Sequence, residues 1–287
     1  MKRRHPAVAG YFYPDDKHKL EALIKWSFTH EIGPGRLPET SPSRRRETIG
    51  YVAPHAGYVY SGPVAAHTYY QMALDGVPET VVVIGTNHTG YGALVSVYPG
   101  GVWETPLGLL EVDSELAKAL SDKSSIAELD EYAHLEEHSV EVQLPYIQCI
   151  YGDKVRILPV VMGLHTPDVA REVAKSLLDA ASSLKRDIII VASSDLNHYD
   201  PHDVTVRKDR EAISMILKLD SVGFYNTLLR EDVSVCGPGG IMVLIEYAKL
   251  AGGGGARAEL LKYATSGDVS GDRSHVVGYA SIRFSTQ

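Results

Sequence analysis

The chain has 287 residues, 44% of them apolar, which is enough to bury a sizeable core. Its 28 Lys and Arg against 36 Asp and Glu leave a formal charge of −8 with no basic stripe, which excludes a phosphate-tracking, nucleic-acid-binding surface. Two cysteines cannot frame a disulfide scaffold, no apolar run can span a bilayer, and "MKRRHPAVAGYFYPDD" has no signal-peptide core, so a cytoplasmic protein with reduced thiols is expected.

In chain order, the first predicted element is a helix from Asp15 to His30, with Asp15 as its N-cap. "GPGRLPETSPSRRR" from Gly33 reads as a polar loop, and its Arg44-Arg45-Arg46 run as solvated. "TIGYVAP" from Thr48 is a strand, followed by a helix from Val64 to Ala73. "TVVVIG" from Thr80 and "ALVSVY" from Ala93 are strands, and helices are predicted over Ser114–Leu120 and His138–Ile150. Cys149 in the second of these reads as a small buried hydrophobe. The strand "VRILPVVM" from Val155 leads to a helix over Pro167–Leu184 with Thr166 as N-cap. "DIIIVASS" from Asp187 is a strand, helices follow over Thr205–Leu219 and Gly240–Leu250, "GGGG" from Gly252 is a turn, and "GYASIRF" from Gly278 is the last strand. "TVVVIG" and "DIIIVASS" are apolar without alternation, as central strands covered on both faces must be. The alternation of strands and helices predicts a single three-layer α/β/α domain over residues 1–287 around a mostly parallel or mixed sheet.

In open α/β sheets, ligands bind beyond the carboxyl ends of the strands. Polar residues stand there in three places: His55 in "PHAGYVYSG", His88 in "GTNHTG", and Asp195 and His198 in "SSDLNHYD". Each alone could be a turn residue or, for Asp195, an Asx-turn anchor. Three strand ends delivering His, His and Asp-x-x-His are harder to explain as independent turns. Cys236 stands before Gly237-Pro238-Gly239-Gly240 and a helix; the helix dipole there favours the thiolate, and the glycines suggest an open turn. Two imidazoles, a thiolate and a carboxylate suit Fe(II), copper or zinc.

Six stretches, "RHPAVAGYFYP" from Arg4, "PHAGYVYSG", "GTNHTG", "EHSVEVQLPY" from Glu137, "SSDLNHYD" and "VCGPGG" from Val235, resemble in order the motifs of the Memo family. That family is similar in fold to the LigB-type class III extradiol dioxygenases. The resemblance implies a LigB-like α/β/α domain with one pocket at the strand ends. By motif it makes His55 and His88 metal ligands, puts Cys236 where the dioxygenases have Glu, and matches His198 to their acid/base. Asp195 lines the pocket as a further ligand candidate, and His138 lies at or near it as a second catalytic candidate. A thiolate in place of Glu favours copper(I) or zinc more than a carboxylate does, and it is oxidisable, which sits awkwardly with O₂ activation. The resemblance also implies a small-molecule or peptide ligand, and an AMMECR-type domain protein and a radical-SAM enzyme as partners. Two functions remain open at this point: a redox or oxygenase-like metalloenzyme on a small molecule, or a non-catalytic scaffold that keeps the pocket to bind a ligand.

Overall fold

The computed structural model describes residues 2–286. Its first half runs β1 (Arg3–Arg4), α1 (Lys17–Thr29), β2 (Thr48–Ala53), α2 (Tyr58–Leu74), β3 (Thr80–Thr86), β4 (Val95–Val97), β5 (Val102–Thr105), β6 (Gly108–Glu111), α3 (Ser114–Lys123) and β7 (Ala127–Leu129). The second half runs α4 (Leu144–Tyr151), β8 (Arg156–Met162), α5 (Pro167–Leu184), β9 (Ile188–Ser193), β10 (His198–Asp200), α6 (His202–Leu217), α7 (Ser221–Glu231), α8 (Pro238–Gly252), β11 (Arg257–Thr265), α9 (Ser266–Ser270) and β12 (Val276–Ser285). No helix among the described residues is long and apolar enough to cross a membrane.

The fold is α/β in three layers around a mixed, nine-stranded sheet. Four parallel strands, β2-β9-β3-β8, form its centre. Antiparallel β12 and β11 extend it beyond β2, and β4 and β7 beyond β8; short β10 pairs with the first residues of β12. Alternation along the central strands sorts side chains to two faces. Val81, Val83, Ile189 and Val191 pack against α1, α2 and α4, while Val82, Ile84, Ile190 and Ala192 pack against α5 and α8. Both faces are dry, so these strands read as continuous apolar runs. Helix α5 shows the complementary pattern: Ala170, Val173, Ala174, Leu177, Ala180 and Ala181 form one buried stripe. Thr166 caps it, accepting from the Val169 N–H at 3.3 Å.

Several local expectations change. The cap of α1 is Asp16, whose carboxylate accepts from the Lys19 N–H at 2.9 Å, rather than Asp15. Helix α2 begins at Tyr58, before Pro63, because a proline in the second turn removes only one backbone bond. The segment before α4 runs through a 3₁₀ turn at Glu141–Gln143, so the helix expected from His138 is only eight residues long, from Leu144 to Tyr151. Cys149 is exposed, not buried. The "VCGPGG" turn is packed, not open: Gly237, Gly239 and Gly240 are all buried. A Cβ on Gly237 would lie 2.7 Å from the Ser193 carbonyl oxygen, so these glycines permit close backbone approach.

Candidate metal centre

The carboxyl ends of β2, β3 and β9 deliver His55, His88 and Asp195 to one edge of the sheet, and the turn before α8 brings Cys236 between them. A cleft of about 460 Å³ holds all six residues singled out from sequence, His55, His88, His138, Asp195, His198 and Cys236, with Phe12 and Tyr199 at its walls.

Three imidazoles are locked in one tautomer. Ser193 Oγ donates to the Ser139 carbonyl (2.6 Å) and accepts from Gln143 Nε2 (2.8 Å). His55 Nδ1, 3.0 Å from the same oxygen, must therefore donate to it. His88 Nδ1 donates to Glu137 Oε1 (2.9 Å), and His198 Nδ1 donates to the Ser234 carbonyl (2.8 Å). Each ring thus keeps a bare Nε2, the lone pair that binds a metal or accepts a proton. His55 Nε2 lies 3.2 Å from Cys236 Sγ.

Burial, helped by His88, holds the His55 pKa down at about 3, and burial with nearby His55 holds His138 at about 4. Both rings are neutral at pH 7, as ligation requires. Glu137 is 1% exposed, and burial alone would raise its pKa. The hydrogen bonds from His88 and the Ser139 N–H, with the pull of the His88 ring when that ring is protonated, outweigh this and bring it to about 2. Asp195 is raised by burial, although its Oδ1 accepts from the His55 N–H at 2.8 Å.

Cys236 departs from the thiolate expectation. It lies two residues before the first residue of α8, and burial followed by the Asp195 charge pushes its pKa up. The Asp195 N–H, donating to Sγ at 3.2 Å, works the other way but does not win. Cys236 is therefore held as a thiol, its Sγ within hydrogen-bond distance of His55 Nε2. A cation there would reverse the balance, since a coordinating thiol loses its proton.

Donor atoms of His55, His88 and Cys236 lie within 4.8 Å of one another, as do those of Asp195, His198 and Cys236. His88, Glu137 and His138 form a third such group, but Glu137 is already committed. Its Oε1 accepts from His88 Nδ1 and the N–H groups of His138 and Ser139, and its Oε2 accepts from the His88 N–H. It orients His88 and has little left to offer a cation. The chemistry of the other two groups fits a borderline or soft transition metal: two imidazoles and a sulfur, with a carboxylate and a third imidazole beside them.

Sequence reading missed Glu137, although it stands beside His138 in a quoted motif, and missed Ser193, Gln143 and Ser234, which fix the rings. It also missed His165, just beyond the end of β8, where the same strand-end argument would have found it.

The profile of the Memo-like protein family matches residues 4–283. The chain is 62% identical to a MEMO1 family protein of Desulfurococcus amylolyticus over 99% of both chains. It is 54% identical to one of Ignicoccus hospitalis, again over 99% of both, and 50% identical to one of Methanopyrus kandleri over 98% of both. A match of this extent, on a fold that gathers the six motif residues in one cleft, leaves one conclusion: the chain belongs to the Memo family.

Proposed function

We propose that this chain is a metal-dependent redox or oxygenase-like enzyme acting on a small molecule, with His55, His88 and Cys236 as ligands. The observation that carries the reading is the convergence of bare imidazole nitrogens on Cys236 Sγ, each ring fixed from behind by its own partner. Asp195 stands within reach of the same sulfur as a fourth ligand candidate, and His198 lies beside it. A cation held here would supply Lewis acidity and, if it is iron or copper, electron exchange. The sulfur favours copper or zinc more than a third carboxylate-type ligand would. His198 Nε2, with Nδ1 anchored to Ser234, is placed to take a proton from a bound substrate. Phe12, whose ring packs 4.4 Å from His138, gives the cleft an apolar wall against which a planar ligand rests.

Metal analysis of protein purified without chelator or nickel resin tests this. About one equivalent of iron, copper or zinc, lost in His55→Ala, is expected; metal-free protein that takes up none of the three ends the reading. Thiol alkylation gives a second check. Because the Cys236 thiol is held above its ordinary pKa, labelling is followed at alkaline pH: Cys236 is expected to be shielded when metal is bound and to react when it is stripped, whereas exposed Cys149 labels in both states; equal Cys236 labelling there counts against ligation. The second reading, a ligand-binding scaffold, draws on the same cleft and its aromatic wall, and is favoured if loaded protein binds small aromatic molecules without turning any over.

A further inference from the structure

The candidate centre is knitted in two halves. Around Cys236, the Asp195 N–H donates to Sγ and the Gly237 N–H donates to Ser194 Oγ (2.9 Å), which ties the turn before α8 to the end of β9. Around His88, the Thr86 N–H donates to Ser139 Oγ (3.0 Å), and Ser139 Oγ donates back to the Thr86 carbonyl (3.0 Å), which ties the end of β3 to the Glu137 segment. Ser193 Oγ joins the two halves from behind, through the Ser139 carbonyl and His55. A separate and shorter link, from the β3 end to the first turn of α8, runs through His165, which follows β8. The Gly239 N–H donates to His165 Nδ1 at 3.2 Å, and His165 Nε2 lies 3.1 Å from Thr86 Oγ1.

An amide N–H can only donate, so Nδ1 is bare and the ring proton sits on Nε2, facing the threonine hydroxyl. The Gly239 N–H belongs to the first turn of α8, where no helical partner exists, so His165 satisfies a group that would otherwise be orphaned. The approach is close enough to dictate the residue opposite. A Cβ on Gly239 would lie 2.5 Å from His165 Nδ1 and 2.9 Å from Met162 Cε. Burial, with His88 nearby, holds the His165 pKa below the ordinary imidazole value, consistent with a neutral ring.

We propose that His165 is a positioning residue of the centre: its neutral imidazole bridges Thr86 and Gly239 and thereby sets the separation of His88 from Cys236. His165 touches neither metal ligand and acts through the two turns that carry them. The proposal rests on the metal-centre reading above.

Cobalt(II) is the probe. It is titrated anaerobically into the wild type, His165→Leu, His165→Asn and Gly239→Ala, and both the dissociation constant and the thiolate-to-cobalt absorption per bound ion are read. His165→Leu removes both bonds at similar volume, and Gly239→Ala pushes the same contact apart from the other side. Both should bind cobalt about tenfold more weakly, as loss of an outer-shell partner does, with a weakened thiolate band. His165→Asn keeps an acceptor opposite the Gly239 N–H and should stay close to wild type. Wild-type affinity and band in both His165→Leu and Gly239→Ala overturn the proposal. So does a Leu variant nearer to wild type than the Asn variant, which would mark a side chain that only fills space. If His165→Leu does not fold by circular dichroism, Gly239→Ala and His165→Asn decide on the same criteria. A wild type that shows neither cobalt binding nor a thiolate band ends the metal-centre reading itself and this proposal with it, an outcome distinct from a loaded wild type with indifferent variants.

Discussion

The two ends of the central strands bury polar groups equally well and resolve them in opposite ways. At the amino end, buried Asp75 and Asp113 and half-buried Asp187 each meet an arginine. Arg186 Nε lies 3.0 Å from Asp113 Oδ2, Arg44 reaches both Asp187 oxygens at 3.1 Å, and Arg283 Nη2 lies 3.2 Å from Asp75 Oδ1. At the carboxyl end, Glu137 and Asp195 have no arginine or lysine partner among the described residues; backbone N–H groups and imidazoles surround them instead. At the amino end each carboxylate is paired with an arginine of the chain, although Arg186 Nε and Arg283 Nε lack a well-aligned hydrogen-bond partner. The carboxyl end leaves lone pairs pointing at one another around a sulfur, a set that a cation would close. Burial of polar groups therefore does not distinguish structure from function here; the direction of the unused valences does.

The largest effect that tests this contrast falls at the amino end. Asp113→Ala leaves the Thr80 hydroxyl, 2.5 Å from the lost carboxylate, without a partner, and leaves Arg186 only the exposed Glu115 and Glu79. Removing one member of a buried pair costs about 3–5 kcal/mol, so urea unfolding should show a loss of that size while cobalt affinity stays at wild type. A loss below about 1 kcal/mol would mean the amino end is as open as the carboxyl end.

At the carboxyl end the pattern should invert. The His88 side chain is 36% exposed, so His88→Ala should cost little stability. Its metal affinity should fall about 100-fold, equivalent to about 2.7 kcal/mol. A variant that unfolds easily yet binds cobalt normally would erase the distinction between the two ends.

A third test uses Asp209, a fully buried acid of α6 that accepts from the Asn197 N–H (2.9 Å) and the Tyr263 hydroxyl (2.7 Å) rather than from a cation. Burial, the leading cause, raises its pKa from 3.8 to about 6. The folded state then holds a proton that the unfolded chain has released, so this group's stability contribution is full below pH 3.8 and is lost as pH rises through 6. The stability of wild type minus that of Asp209→Asn should decline by about 2 kcal/mol between pH 4 and pH 7. A flat difference would show that this acid is as well paired as those at the amino end.

The smallest effect concerns Glu137→Gln. The amide still accepts from His88 Nδ1 but carries no charge, so cobalt affinity should fall about tenfold with little change in unfolding. No change would make Glu137 a packing residue rather than the group that orients His88.

The central sheet was legible in the sequence because its strands are covered on both faces and read as apolar runs. β11 was not: in "RAELLKYAT" one edge pairs with β12 while much of the strand stays exposed or half-exposed, so no apolar signal builds up. β10 is three residues inside a motif and pairs irregularly. Within the site, the histidines could be found because they follow strong strands. Glu137, Ser193 and Ser234 could not, because their work is to hold rings whose positions only the folded chain defines. The glycines around Cys236 misled for a related reason. In sequence, glycine reads as openness; in the fold, Gly239 is where His165 comes too close for any side chain.

One consequence of the strand order concerns time. β9 comes last in sequence among the four parallel strands, yet it sits between β2 and β3. Until Ile188–Ser193 leave the ribosome, β2 and β3 have no partner between them and their apolar edges stay open, a state prone to mispairing. Cys236 emerges later still, and β12, which completes the far side of β2, comes at the end of the chain. A nascent chain can therefore present two histidines long before it can hold an ion with them. Loading is expected to follow the insertion of β9 and the emergence of Cys236.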